Sequence, residues 1–168
     1  MTACPQCGVD LPKFDGPTHR YFGASSACWA AYGIILEREY SNPKFFKNHR
    51  MTVDAYALQH PGDSSLQAVQ SVNLHLISST LLFEYKTSAN MALDAMRKLS
   101  AASKKNAKLF SWLAPPSTLG QITVKDVLPK TQVDEHLKQI EKWAKCTWQA
   151  WVDHHHIAKN HLKTFEII

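Results

Sequence analysis

Apolar positions along this chain recur mainly at helical spacing. Val133, Leu137, Ile140, Ala144, Thr147, Trp151, His154, Ala158 and His161 follow three- and four-residue steps, which predicts one long terminal helix of about eight turns. Trp143 and Trp148 widen its apolar face. A second stripe, Leu66, Val69, Val72, Leu76 and Phe83, predicts a core helix running through Glu84, opened by Ser64-Ser65-Leu66-Gln67 in the Ser-x-x-Gln form of a capping box. Ser25 or Ser26 is placed to cap a helix reaching about Tyr40. Ser41-Asn42-Pro43 ends it, because proline disfavours helical geometry in the residue before it. His49 to Gln59 reads as a short helix closed by Pro61-Gly62, and Asn90 to Asn106 as another. Trp112-Leu113-Ala114-Pro115-Pro116 and Gly120 mark a long loop, after which Gln121-Ile122-Thr123-Val124 reads as a short strand.

Residues 1–24 show no such period and are rich in Cys, Pro and Gly. The expected fold is therefore mainly α: one domain over 1–168, with a zinc-knuckle segment at 1–24 and a small antiparallel helical bundle at 25–168. At most one short strand is expected, near 121–124.

A chain of 168 residues with 45% apolar composition can bury one sizeable core, and its content of apolar residues excludes a disordered tail or a collagenous repeat. No apolar run reaches the roughly 18 residues a membrane span needs. Met1 to Pro5 lacks a charged region leading into an apolar one, so a cytoplasmic location is expected. Nineteen Lys and Arg against fourteen Asp and Glu give a net charge of +5. The surplus concentrates between Arg97 and Lys108, a stretch without acids that reads first as a solvated helix end and second as a phosphate-binding patch.

Four cysteines in a cytoplasmic chain of this length point to metal or catalysis rather than to a disulfide framework. Cys4-Pro5-Gln6-Cys7-Gly8 is a C-x-x-C-G knuckle that sets two thiolates on one tight turn, and Cys28 lies near the start of a predicted helix, whose dipole favours a thiolate. With His19 these form a Cys3His set, the expected ligands of a structural zinc. His49 competes with His19 for the fourth place. Cys146 reads as an ordinary half-buried thiol.

Histidines supply the second candidate chemistry. His49, Val53, Tyr56 and His60 share one side of a predicted helix, His75 sits in an apolar stripe, and His154 and His155 flank the inward face of the terminal helix. A bundle that turned His49 or His60, His75 and His154 or His155 toward one another would form a catalytic pocket, with imidazoles offered to a second divalent ion and His60, His75 and His155 as the leading set. Asp54 and Glu84 either orient these imidazoles or cap and pair on the surface. The alternative for each is a hydrogen-bonded core histidine. Trp143, Trp148 and Trp151 are read as core filler rather than a stacking site. No phosphate-binding P-loop, G-x-G-x-x-G, G-x-S-x-G or H-E-x-x-H motif is present.

These motifs together resemble a bacterial family known as a domain of unknown function. The resemblance rests on Cys4-Pro5-x-Cys7-Gly8, Thr18-His19-Arg20-Tyr21, Ser26-Ala27-Cys28-Trp29 and the run from His49-Arg50-Met51-Thr52-Val53-Asp54 to Gln59-His60-Pro61-Gly62. It continues through Ser71-Val72-x-Leu74-His75-Leu76, Trp112-Leu113-x-Pro115-Pro116, Thr123-Val124-x-Asp126-Val127 and Trp148-x-x-Trp151-x-x-His154-His155. It implies no activity. By fold-level analogy the arrangement is also similar to the DinB/YfiT bundles, three-histidine metal proteins that include thiol transferases, although the cysteine knuckle departs from their pattern.

Two functional classes follow as expectations. One is a metal-dependent hydrolase or transferase acting on a small-molecule substrate, with His60 or His155 as general base. The other is a non-enzymatic zinc-stabilised module, binding nucleic acid or an acidic protein through Lys44-Phe45-Phe46-Lys47-Asn48-His49-Arg50 and the Arg97–Lys108 stretch. No membrane association and no particular oligomeric state is expected.

Overall fold

The computed structural model describes all residues, 1–168. Two short strands, β1 (Thr2–Ala3) and β2 (Asp10–Leu11), pair antiparallel and enclose the knuckle. Eight helices follow: α1 (Ser26–Ser41), α2 (Pro43–Phe46), α3 (His49–Gln59), α4 (Leu66–Phe83), α5 (Ala89–Lys105), α6 (Val124–Val127), α7 (Val133–Ala150) and α8 (His155–Thr164). The fold is mainly α, with a bundle body and an N-terminal module carrying the cysteine knuckle. No helix is long and apolar enough to cross a membrane.

The helix starts follow local capping. Ser25, Ser65 and Ser88 each accept a backbone N–H three residues on, which satisfies a donor that the first helical turn leaves free. Ser65 rather than Ser64 caps α4, so the expected Ser64–Gln67 box does not form. The helix α4 is buried almost all round and packs on α3, α5, α7 and α8, as expected of a helix at the centre of a core. One cluster of 34 buried residues extends from Cys4, Val9 and Leu11 to Trp151, Ala158 and Leu162.

Two expectations are corrected. Residues 121–124 form no strand, because Gln59 takes their backbone first: its side-chain amide donates to the carbonyls of Leu119 at 3.1 Å and Ile122 at 2.7 Å. Thr123 then caps the one-turn helix α6 in a capping box with Asp126. The terminal helix is also broken, with a 3-10 turn over Val152–His154 between α7 and α8. The His155 Nε2–H donates to the Trp148 carbonyl at 2.8 Å and its ring stacks on Trp148, so a side chain satisfies the end of α7 and the chain turns. The Trp151 indole N–H donates to the Leu58 carbonyl at 3.1 Å, tying the break to α3.

Candidate metal centre

The knuckle is built by its backbone. Cys4 N–H donates to the Val9 carbonyl at 2.9 Å and Gly8 N–H to the Cys4 carbonyl at 3.0 Å. Gly8 takes φ +72°, the left-handed region where a side chain is strained. Cys28 lies in the first turn of α1, its N–H donating to Ser25 Oγ at 3.2 Å. His60 ends α3, its N–H donating to the Ala57 carbonyl.

These three segments bring Cys4, Cys7, Cys28 and His60 together. Their donor atoms all lie within 4.8 Å of one another. Cys7 Sγ is 3.8 Å from Cys28 Sγ, and His60 Nε2 is 3.6 Å from Cys4 Sγ and 3.4 Å from Cys28 Sγ. Cys4 is 2% exposed and Cys28 and His60 are fully buried. The His60 Nδ1–H donates to the Tyr56 carbonyl at 2.8 Å, which leaves Nε2 with its lone pair toward the thiols. Ser25 N–H and the Tyr56 hydroxyl donate to Cys4 and Cys28 sulfurs, at 3.5 and 3.8 Å.

Electrostatics set the chemistry of this group. Hydrogen bonds from Cys28 and Cys7 hold the Cys4 thiol far below the ordinary range. Cys28 is pushed far up, first by its bond to Cys4 and next by that to Cys7. Cys7 is pulled down by Cys28, yet Cys4 and burial outweigh that and push it up to about 12. Three thiols packed this closely oppose one another's ionisation. A cation removes the conflict by accepting all three as thiolates.

His19, the expected fourth donor, stands outside this group. Its ring stacks on Phe22 and packs against Tyr21 and Trp29, while Nδ1 accepts the Tyr21 N–H at 3.5 Å. The physical reason is aromatic packing on a loop that leaves the thiols to α3. His49, the competitor, donates from Nδ1 to Glu39 Oε2 at 2.7 Å. Cys146 is half-buried on α7 and not part of the cluster.

The three histidines expected to share a catalytic pocket occupy three separate environments. His60 joins the thiols, His155 caps α7, and His75 donates from Nδ1 to Asp54 Oδ1 at 2.7 Å. The group of His and Cys donors within ligating reach of one another is the thiol cluster with His60, which His75 and His155 do not join. Asp54 orients an imidazole as expected. Glu84 takes the other role expected of it, accepting from Lys159 at the surface, 3.1 Å away. Trp143 and Trp151 are fully buried core residues.

Glu39 was not legible as a functional residue. It is completely buried on α1, accepting from His49, Thr52 and, at 3.2 Å, His136 Nε2–H. Burial alone would raise its carboxyl, but His136, His49 and Thr52 outweigh this and hold it below its ordinary value. Arg38 donates to His136 Nδ1 at 3.4 Å and to the carbonyls of Leu128 and Lys130, so α1 also fastens the α6–α7 connection. In the basic-aromatic stretch Lys44–Arg50, His49 and Arg50 are thus turned onto carboxylates, Arg50 pairing with Asp54 at 2.8 Å.

No curated protein and no solved structure matches this chain. A family model described as a family of unknown function (DUF5946) matches residues 2–152, a span that holds all four clustered donors and stops short of His155. The chain belongs to that family.

Proposed function

We propose that this protein is a zinc-stabilised helical scaffold in which one zinc ion, held by Cys4, Cys7, Cys28 and His60, locks the N-terminal module onto α1 and α3. The observation carrying this reading is the convergence of three thiols and one correctly oriented imidazole from three separate segments. Metal–sulfur bonds of about 2.3 Å in a tetrahedron place sulfurs about 3.8 Å apart and a ring nitrogen about 3.6 Å from each sulfur. The Cys7–Cys28 separation of 3.8 Å and the His60 separations of 3.4 and 3.6 Å fit that shape. Soft thiolates with one imidazole in tetrahedral array favour zinc over harder cations.

Four protein donors leave no open position for substrate, which supports a structural rather than a hydrolytic role for this ion. A buried His60 that ligates through Nε2 and donates through Nδ1 has no free nitrogen to act as a general base. The hydrolase or transferase reading therefore loses one of its three histidines to the metal.

Metal analysis of the purified full chain tests the proposal. One zinc per chain is expected, and replacement by cobalt should give sulfur-to-metal charge-transfer bands and the visible absorption of a tetrahedral site. A metal content near zero after expression with added zinc, or a cobalt complex without sulfur charge transfer, overturns it.

A further inference from the structure

Several motif residues take no part in the metal centre, and five of them meet elsewhere. A polar cleft of about 300 Å³ opens between the Arg20–Tyr21 loop, α4 and α5, lined among others by Arg20, Gln67, Gln70, Ser71, His75 and Ser100. Behind it, Asp54 is fully buried on α3 and holds His75 by its Nδ1–H, with Ser78 donating to the other carboxylate oxygen at 2.6 Å. That bond fixes the tautomer, so the other ring nitrogen of His75 is a free acceptor. Burial lowers the His75 value below its ordinary one, against the pull of Asp54, and the ring stays neutral near pH 7.

Ser71 is one helical turn before His75 on the same face of α4. It is only 8% exposed, and its hydroxyl has no hydrogen-bond partner in the protein. A buried hydroxyl without a partner is costly, and a polar ligand in the cleft would supply one. Gln70 is positioned by donating to Ser100 Oγ at 3.1 Å and Ser103 Oγ at 2.8 Å, which leaves its carbonyl oxygen free.

The charge of the cleft selects the ligand class. Arg50 lies behind His75 but is neutralised by Asp54, and Arg20 is the one charged side chain lining the cleft. A single free cation matches a monoanion better than a dianionic phosphate. Hydroxyl and amide groups, with a neutral imidazole acceptor, match a ligand hydroxyl.

We infer that this cleft binds a small hydroxy acid, its carboxylate on Arg20 and its hydroxyl between Ser71 Oγ and the free nitrogen of His75. The residues of the cleft are distinct from the four metal donors, but Arg20 belongs to the N-terminal module, so the inference rests on that module being held in place as proposed above.

Titration of the zinc-loaded full chain, with the imidazole nitrogens of His75 followed by NMR, tests this. Glycerate is the probe, propionate the analogue without a hydroxyl, and inorganic phosphate the competing anion. Glycerate should shift the free nitrogen of His75 saturably at about millimolar concentration, as befits a ligand of few atoms. Propionate should bind at least about tenfold more weakly, since the buried hydroxyl and imidazole are then left unpaired. Arg20→Ala and Ser71→Ala, both conservative of the fold, should each weaken glycerate at least about tenfold. Absence of a saturable shift, equal binding of propionate, tighter binding of phosphate, or indifference to both substitutions overturns the inference.

Discussion

Gln6 and Gly62 exchange a reciprocal pair of hydrogen bonds, the Gln6 amide donating to the Gly62 carbonyl and accepting the Gly62 N–H, each at 3.0 Å. The pair joins the loop between Cys4 and Cys7 to the turn that follows His60, so one side chain sets the distance between the thiols and the imidazole. Gly62 permits the approach. Its φ is +72°, and a Cβ there would collide with the Tyr21 carbonyl oxygen.

Removing this clamp should loosen the metal site without abolishing it. Gln6→Ala loses two hydrogen bonds, worth about 1 kcal/mol each, and should lower the thermal midpoint by about 4–8 °C for a chain of this size. Zinc transfer to a colorimetric chelator should become faster. Gly62→Ala should cost more than Gln6→Ala, because backbone strain adds to a steric clash with main chain.

The fourth ligand is decided by exchanging two histidines. His60→Ala should lose the metal, or bind it with altered cobalt absorption, and should lower stability by about 4 kcal/mol or more. His19→Ala should keep one metal per chain and the same cobalt spectrum, costing only the packing of its ring on Phe22. Metal content and visible absorption of the two variants, measured side by side, check the assignment.

Chelation should release the N-terminal module before the body. Its residues up to Ala24 contribute only Cys4, Val9, Leu11 and Ala24 to the shared core, whereas α4 and the helices packed on it supply most of the rest. Hydrogen exchange after zinc removal should show lost protection in residues 1–24 and around Gly62, with α4 and α7 still protected.

Acidification should destabilise the protein in two steps. Burial holds His19, His75, His155 and His161 below the ordinary imidazole value. The unfolded chain therefore binds protons first as pH falls through about 6.5, and stability falls with it. Glu39 is held below the ordinary carboxyl value of about 4.5, so its contribution is complete above that pH and is lost as pH drops toward its folded value. Thermal midpoints measured between about pH 7.5 and pH 3 should decline throughout, with Glu39→Gln flattening the lower step and His75→Asn the upper one.

Gln59 should rank among the costliest polar residues to remove. It accepts the Trp143 indole N–H at 2.9 Å while donating to Leu119 and Ile122 carbonyls. Gln59→Leu strands one buried donor and two carbonyls, a loss of about 3 kcal/mol or more. Urea unfolding of the two chains measures it, and a difference below about 1 kcal/mol would sink this account of the 119–122 segment.

Local chemistry alone determined much of this protein. A serine oxygen at Ser25 starts a helix, proline at 43 stops one, and the Leu66–Phe83 stripe demands burial, so helix positions were legible from the chain itself to within a residue, the cap of α4 being Ser65 and not Ser64. So was the grouping of Cys4, Cys7 and Cys28, since a knuckle and a helix-start thiol share one preference for a cation. Only the tertiary structure decided the rest. His19 is nearer to the thiols along the chain, yet His60 reaches them, because the Tyr56 carbonyl and the Gln6–Gly62 clamp fix its ring from outside its own segment. The Gln121–Val124 strand gave way to Gln59, and the terminal helix broke where His155 could take the Trp148 carbonyl. Periodicity and capping act within about four residues, whereas a buried polar group takes whichever partner the packed fold brings near, and that choice leaves no mark on spacing.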